Sequence, residues 1–324
     1  MSTRIPVSAV LEPHQGWDYE QILSFAQAAE KAGFDGLFLA DHYLAEGNVP
    51  GDLGPSDAWL TLGALSRETS RLRLGTMMSS ATFRLPGPLA VSVAQLDRMS
   101  GGRIEVGIGA GWYADEHRSH GIPFPSTAER FERLAEQIEI MRLFWRTRPG
   151  ERFSYQGVHY RLEDCPALPT PVQPGGPPVI VGGRGPRRTP AVAARHADEF
   201  NVPFAGHELV TAQLRRADRA CTSLGRDPRD LRRSTLLTVC CGSTEAEMEH
   251  RESGMAPYAG AGRGVIARGS PASVRAQLDA YADLGLHRIY LQFLDIQDTD
   301  HLDLVGSEVV AAMRATVDRP APST

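Results

Sequence analysis

Short apolar runs alternate with longer segments of helical periodicity along most of the chain. Strands that are covered on both faces carry continuous hydrophobic side chains, and eight runs of this kind predict buried parallel strands. They occupy residues 6–11, 34–40, 72–78, 103–109, 179–181, 199–203, 234–241 and 288–293. The segments between them repeat apolar residues three or four positions apart, which is typical of amphipathic helices. These predicted helices cover residues 19–32, 57–69, 89–99, 127–145, 186–196, 208–224, 245–255, 273–284 and 302–317.

Eight strands with helices between them predict an α/β fold, a (β/α)8 TIM barrel. The competing open sheet would place a Gly-rich phosphate loop after the first strand, but residues 12–16 (EPHQG) contain no such motif. Residues 153–162 predict a hairpin insertion, and the Pro-rich residues 166–178 predict irregular structure. We therefore expect one barrel domain over residues 1–317 with loop insertions, followed by a flexible tail at 318–324.

Composition narrows the function classes. Hydrophobic residues make up 42% and charged residues 23%, as in a globular protein with a sizeable core. The net charge of −5 argues against a general nucleic-acid binder, which needs clustered positive charge. The four cysteines form no CxxC pair and no zinc-ligand spacing, so no metal site is expected. Neither a secretory leader nor a membrane-length apolar stretch is visible, and we expect a cytoplasmic enzyme.

In a barrel the site lies at the carboxyl ends of the strands, so the residues that follow each apolar run are the candidates. Polar or small residues stand at most of these ends: Glu12, His14, Asp41, His42, Met77, Met78, Ser79, Ser80, Gly109, Ala110, Gly111, Trp112, Gly182, Gly183, Arg184, Asn201, Gln292 and Asp295. In the pair Asp41–His42, the imidazole can act as acid or base near neutral pH. The residues alone leave open whether this pair is catalytic or only caps a loop.

Two glycine-rich turns follow predicted strands. Residues 182–186 (GGRGP) open a predicted helix, where backbone N–H groups and Arg184 would attract a phosphate. Residues 107–111 (GIGAG) lack the third glycine of a dinucleotide motif at the required spacing, and we interpret them as a strand and a tight turn. The segment 112–124 contains Trp112, Tyr113, His117 and His120 and is expected to cover a pocket rather than bind a metal.

Four long segments resemble the luciferase-like monooxygenase family, in particular its branch of coenzyme F420-dependent oxidoreductases. They are AEKAGFDGLFLADHY at 29–43, LRLGTMMSSATFRLPGPLA at 72–90, LDRMSGGRIEVGIGAGWYADEHRSHGIPFPSTAERFERL at 96–134 and PPVIVGGRGPRRTPAVAARHADEFN at 177–201. Together they cover most of the first two-thirds of the chain, whereas the last third resembles the family only in its spacing of strands and helices.

The resemblance implies roles for particular residues. Asp41 and His42 match the acidic-His pair that the family places beside the central ring of the cofactor. Met77–Met78 matches the position of a non-prolyl cis peptide behind that ring. A segment along the cofactor is matched by Gly109, Ala110, Gly111, Trp112 and Asp115. The backbone that receives the cofactor's phosphate is matched by Val181, Gly182 and Gly183. With Ser79, Arg184 and Asn201 these form the expected cofactor site, and His42 is the expected catalytic residue.

One departure bears on the substrate. Sugar-phosphate dehydrogenases of this kind carry a Glu directly after the fourth-strand G-x-G, but this chain has Ala110 or Trp112 there, depending on which G-x-G is aligned. We therefore expect a more apolar substrate than a sugar phosphate. The leading hypothesis is hydride transfer between F420 and a small organic substrate. The alternatives are an FMN-dependent monooxygenase and a flavin-binding barrel without catalysis. The family resemblance also implies a homodimer. Residues 43–55, 112–125 and 255–268 would set the substrate, and residues 259–264 (AGAGRG) are expected to close over the site.

Overall fold

The computed structural model describes residues 5–45, 56–256 and 266–315. Its strands, in chain order, are β1 (Val7–Leu11), β2 (Gly36–Leu39), β3 (Arg73–Thr76), β4 (Ser79–Ser80), β5 (Ile104–Gly109), β6 (Phe153–Gln156), β7 (Arg161–Cys165), β8 (Val179–Gly182), β9 (Glu199–Pro203), β10 (Arg232–Cys241), β11 (Ile266–Gly269) and β12 (Arg288–Gln292). The expected closing segment at 259–264 and the expected tail at 318–324 lie outside the described residues.

The helices of the described residues lie between and after these strands. They are α1 (Tyr19–Lys31), α2 (Ala58–Glu68), α3 (Pro86–Ser100), α4 (Ala114–Ser119), α5 (Thr127–Arg146), α6 (Arg188–His196), α7 (His207–Ser223), α8 (Glu245–Met255), α9 (Pro271–Ala282), α10 (Thr299–Leu304) and α11 (Ala311–Ala315). Their starts have local causes. At α5, for example, the Ser126 hydroxyl accepts a hydrogen bond from the Glu129 N–H at 3.3 Å and so caps the first turn.

Eight parallel strands close into a barrel in the order β1, β2, β3, β5, β8, β9, β10 and β12. The ring closes because β12 pairs with β1, with Ile289 opposite Val7, and β10 pairs with both β9 and β12. The predicted (β/α)8 barrel is therefore confirmed. The predicted hairpin insertion is also confirmed, since β6 and β7 pair antiparallel outside the barrel.

Several elements differ from the sequence prediction, including the short strand β11, which was not predicted. The third strand was predicted to run through residue 78, but it ends at Thr76, and the chain rejoins the sheet as β4 after a cis peptide between Met77 and Met78. The segment 112–124 contains α4, which was not predicted because its six residues are too few to show helical periodicity. The predicted final helix is divided into α10, a π-helical segment at Val305–Val310 and α11.

Two kinds of packing fill the molecule. Apolar side chains form a continuous layer between the strands and the helices. Inside the barrel, a smaller apolar group of Val10, Phe38, Ile180, Leu236 and Tyr290 lies above a layer of buried charges. The charged layer is a network of Glu105, Glu199, Arg288 and the Tyr290 hydroxyl. It fills one end of the barrel, so the open space lies at the other end.

No described helix combines the length and apolar character that a membrane crossing requires. The division of the chain into a barrel at 1–317 and a short tail stays a prediction.

Candidate active site

A cavity of about 390 Å³ opens where the barrel strands end, which is the face where barrel enzymes place their sites. Its size is that of a small-molecule or cofactor site. Most of its lining comes from residues at or near the carboxyl ends of strands, and the remainder comes from α4 and from the beginnings of α5 and α6. The lining residues are Val10, Glu12, Ala40, His42, Met77, Met78, Ser79, Ser80, Gly109, Ala110, Gly111, Trp112, Glu116, Thr127, Arg130, Phe131, Gly182, Gly183, Arg184, Thr189, Asn201, Pro203, Phe204, Leu236 and Gln292.

His42 lines this cavity three residues after the end of β2. Its Nδ1 lies 3.0 and 3.1 Å from the two carboxylate oxygens of Glu116 on α4, and the side chain of Glu116 is only 1% exposed. Glu116 also accepts a hydrogen bond from the Tyr43 backbone N–H at 3.1 Å. An ionised carboxylate only accepts hydrogen bonds, so the hydrogen of this bond belongs to Nδ1 of the imidazole.

Asp41 does not line the cavity, although the resemblance implied a place beside the cofactor. Its buried carboxylate accepts a hydrogen bond from the Ser79 hydroxyl at 2.6 Å and is paired with the guanidinium of Arg84. Arg84 also binds Asp57, the residue that caps α2. Burial alone would lower the pKa of Arg84, but Asp41 and Asp57 outweigh it and raise that pKa. Asp41 therefore anchors the strand end next to His42 instead of facing a ligand.

A second carboxylate lies on the cavity lining beside the histidines. Glu12 follows β1 and accepts hydrogen bonds from the side-chain amides of Gln15, at 3.1 Å, and Gln292. The His14 ring lies between this carboxylate and His42, because His14 Nε2 is 4.0 Å from Glu12 and the two imidazole centroids are 4.9 Å apart. The cavity therefore contains two carboxylates, Glu12 and Glu116, even though positions 110 and 112 are not acidic.

The Met78 side chain forms part of the cavity wall, and its position requires glycines at neighbouring strand ends. A Cβ at Gly182 would lie 2.2 Å from Met78 Cε, and a Cβ at Gly109 would lie 3.5 Å from its sulfur. Gly111 has φ +79°, a conformation that other residues rarely adopt. Because these positions lack side chains, Met78 can lie across the ends of β5 and β8 and form a smooth wall with the backbone.

Beyond this wall, the turn from β8 to α6 presents backbone groups to the cavity. Gly183 has φ +144°, and α6 begins without a side-chain cap on its first N–H groups. Gly182, Gly183, Arg184 and Thr189 all line the cavity there. Uncapped N–H groups at a helix start and a nearby arginine are suited to an anion such as a phosphate.

Asn201, at the middle of β9, is fully buried and lines the cavity. Its side-chain Nδ2 donates to the Ser234 hydroxyl at 2.9 Å, whereas its Oδ1 has no hydrogen-bond partner. A buried polar atom without a partner is costly unless a ligand satisfies it.

The remaining predicted positions are placed as follows. Met77, Ser79, Ala110 and Trp112 line the cavity. Val181 points its side chain into the apolar layer between strands and helices. Asp115 is 57% exposed and pairs with Arg118 at 2.9 Å, so its neighbour Glu116 is the acidic residue at the site.

Three charged lining residues were missing from the predicted catalytic and cofactor sites: Glu12, Glu116 and Arg130. Glu12 had a signal in the sequence, because it directly follows an apolar run. Glu116 and Arg130 follow no strand, and only the docking of α4 and α5 brings them to the cavity. Within the described ranges, no three His, Cys, Asp or Glu side chains are grouped as metal ligands.

Comparison with known proteins identifies a matching family model and several relatives. A family model described as luciferase-like monooxygenase matches residues 3–262. The F420-dependent glucose-6-phosphate dehydrogenase of Microbacterium testaceum is 34% identical over 223 residues, which are 68% of this chain and 63% of that protein. The F420-dependent hydroxymycolic acid dehydrogenase of Mycobacterium tuberculosis is 30% identical over 240 residues, 73% of this chain and 63% of that protein. The chain thus spans less than two-thirds of the length of either relative.

Two solved structures share the architecture. An F420-dependent secondary alcohol dehydrogenase, in complex with an F420-acetone adduct, has a TM-score of 0.82 at 18% identity and covers 96% of this chain and all of its own. A long-chain alkane monooxygenase has a TM-score of 0.83 at 17% identity and covers 99% of this chain and 94% of its own. At such identities these neighbours establish the fold.

Proposed function

Because the chain belongs to the luciferase-like monooxygenase family, we propose that it is an F420-dependent oxidoreductase acting on a small organic substrate. The observation that carries the proposal is the His42–Glu116 pair, a proton-exchanging group fixed inside a ring-sized cavity at the carboxyl end of the barrel. The names of the two relatives, both F420-dependent dehydrogenases, support the choice of cofactor.

The lining fits a deazaflavin in three respects. The glycines at the ends of β5 and β8 leave a smooth wall for a flat ring. The unpartnered Asn201 Oδ1 is an acceptor for a ring or ribityl N–H or O–H. The turn at Gly182, Gly183 and Arg184 can receive the phosphate. Met77, Met78, Ser79, Gly109, Ala110, Gly111 and Trp112 would line the remainder, and Asp41 and Val181 would support it from outside.

When bound, the deazaflavin supplies two-electron hydride chemistry. The chain's own residues then manage the proton that accompanies it. In the oxidation of an alcohol, His42 Nε2 accepts the hydroxyl proton; in the reverse reduction it donates that proton to the forming alkoxide. Glu116 holds the ring in position and stabilises the imidazolium that forms. Met78, Trp112 and Phe204 present apolar surface that excludes water from the reacting atoms.

An FMN-dependent monooxygenase is the alternative, and the shared fold with the alkane monooxygenase favours it over other chemistries. The discriminating experiment is a fluorescence titration of purified protein with F420 and with FMN, followed by turnover assays with alcohols and ketones. Selective micromolar binding of F420 is expected. Selective FMN binding would transfer the protein to the monooxygenase class, and tight cofactor binding without any turnover would leave a non-catalytic binding barrel.

Homodimer formation, cytoplasmic location and a non-sugar-phosphate substrate also remain part of the proposal. Light scattering on the purified protein tests the first, and glucose 6-phosphate in the turnover assay tests the last.

A further inference from the structure

Arg130 is the buried arginine whose charge no carboxylate balances. Three arginines of the described residues are buried: Arg130 at 9% exposure, Arg251 at 8% and Arg288 at 7%. Arg251 is paired with Asp298 at 2.9 Å, and Arg288 with Glu105 at 2.6 Å. Arg130 forms no ion pair with any described carboxylate, and burial lowers its pKa without an acidic neighbour to oppose the effect. A buried charge without a counterion is expensive, which suggests that a ligand supplies one.

The hydrogen bonds of Arg130 leave capacity for such a ligand. A guanidinium has five N–H donors. One bonds to the Pro125 carbonyl at 2.6 Å and another contacts the Thr127 hydroxyl at 3.4 Å. Nε is buried without a partner. The guanidinium carbon lies over the Phe124 ring, 3.9 Å from the centroid, and this contact helps to hold the group in place.

The acidic residue in the same helical turn is engaged elsewhere. Glu129 is bound by Arg133, with N–O distances of 2.7 and 2.9 Å, and forms no ion pair with Arg130. Arg133 does not line the cavity, whereas Thr127, Arg130 and Phe131 do. The first turn of α5 therefore presents a positive helix end and an unbalanced guanidinium to the cavity.

The position of this turn in the barrel indicates what it faces. Strands β5 and β8 are neighbours, so α5 and α6, which follow them, begin side by side on the same wall of the cavity. That wall includes the phosphate-suited turn at Gly183 and Arg184, whereas His42 follows β2, with β3 between β2 and β5. The unbalanced charge thus extends the anion-binding wall and lies apart from the proton-exchanging imidazole.

We propose that Arg130, with the Thr127 hydroxyl, binds an oxyanion, a phosphate or carboxylate group, on the cavity wall formed by β5, β8 and the helices that follow them. The inference rests on the proposed function for the source of that group. Coenzyme F420 carries a phosphodiester and glutamyl carboxylates beyond its ring, and an acidic substrate is the other source of the same chemistry. A planar guanidinium matches either group with two parallel hydrogen bonds.

The test compares R130Q with R146Q, a control at an exposed arginine on the same helix outside the cavity. Each protein is titrated by fluorescence with F420 and with the deazaflavin chromophore that lacks the phosphate and glutamates. R130Q is expected to weaken F420 binding about 10- to 100-fold, the range for hydrogen bonds to a charged group. Binding of the truncated chromophore should not change, and R146Q should match the wild type. This result assigns the site to the acidic arm of the cofactor.

Two further measurements separate the other outcomes. The second possible source is the substrate. In that case R130Q binds F420 as the wild type does, but inorganic phosphate no longer raises the melting temperature of the F420-loaded protein as it does in the wild type. R130K keeps the charge but not the planar fork, so it should fall between wild type and R130Q and serves if R130Q does not fold. Equal weakening of F420 and the truncated chromophore, or no change in any binding, overturns the proposal. If the wild type binds no F420 at all, the oxyanion site is tested without cofactor. Inorganic phosphate should then raise the melting temperature of the wild type but not that of R130Q, and an equal effect on both would overturn the proposal.

Discussion

At the scale of single residues, the chemistry of the site depends on a contact between residues 74 positions apart. Sequence patterning identified His42, because it follows a predicted strand of a predicted barrel, and the structure places it in the cavity. Patterning could not identify Glu116, because α4 is too short to show periodicity and its docking buries one of two adjacent acidic residues. The family resemblance indicated this segment but implied Asp115, the exposed neighbour.

These two neighbouring residues provide a direct test of the His42 pairing. Glu116→Gln replaces a charged acceptor of the His42 Nδ1–H by a neutral amide, so the imidazolium loses its stabilisation and the ring its fixed orientation. We expect kcat to fall about 10- to 100-fold, which is less than the roughly 100- to 10,000-fold contributed by an acid–base group itself, because His42 remains in place. F420 affinity should be unchanged. Steady-state kinetics and a fluorescence titration measure the two quantities. Asp115→Asn, one residue away and solvent-exposed, is the control, and an equal loss of kcat in both variants would contradict the pairing.

At the scale of elements, the barrel strands were predictable and the interruption of the third strand was not. The apolar run at 72–78 shows no break, yet the strand ends at Thr76 and resumes as β4. The family resemblance predicted the cis peptide at Met77–Met78, which the structure confirms. The fit of the Met78 side chain against glycines of two other strands could not be predicted from any local pattern. This fit forms only when the chain has folded and β5 and β8 lie beside Met78.

Alanine substitutions at two glycines near Met78 should affect cofactor binding and stability differently. In Gly182→Ala the added methyl would lie 2.2 Å from Met78 Cε, the mobile end of a side chain, so Met78 should turn into the cavity. We expect F420 affinity to fall at least about tenfold and the free energy of unfolding to fall by only about 1 kcal/mol, the low end for overpacking. In Gly107→Ala the methyl would lie 2.0 Å from the Thr76 carbonyl oxygen, which is backbone. Here the loss of stability should be about 3 kcal/mol or more.

Urea unfolding and a cofactor titration on both variants check this contrast. The Met78→Ala change in the Gly182→Ala background removes the atom that clashes and should restore part of the lost affinity. If Gly182→Ala binds F420 as the wild type does, Met78 does not form the wall that the proposed cofactor site needs.

At the scale of the whole molecule, the two ends of the barrel have opposite characters. One end is filled by the charged layer, in which Arg288 of β12 reaches across the interior to Glu105 of β5, on the opposite side of the ring. The other end is open and lined by the residues of the proposed site. The sequence shows a charged residue within each of these two apolar strands, but it cannot show the pairing, because 183 residues separate them and only closure of the barrel brings them together.

We therefore expect substitutions in the charged layer to lower the stability of the protein without changing cofactor binding at the open end of the barrel. Burial alone would raise the pKa of Glu105, but Arg288 and Arg73 outweigh it and lower that pKa, so Glu105 and Arg288 are both charged at neutral pH. Removing one of the two leaves the other charge buried with only its second partner, which is Arg73 for Glu105 and Glu199 for Arg288. We expect Glu105→Gln and Arg288→Met each to lower the free energy of unfolding by about 3 kcal/mol or more.

The double variant Glu105→Gln/Arg288→Met should lose less than the sum of the two single losses, because the attraction between Glu105 and Arg288 is counted in both single variants but is lost only once. Urea denaturation of the wild type, both single variants and the double variant completes the thermodynamic cycle. Strictly additive losses would show that the two groups do not stabilise each other, whatever their 2.6 Å separation. The F420 affinity of every folded variant should equal that of the wild type, because the cavity lies at the other end of the barrel. A large loss of affinity alongside the loss of stability would instead mean that the charged layer and the site are coupled through the barrel.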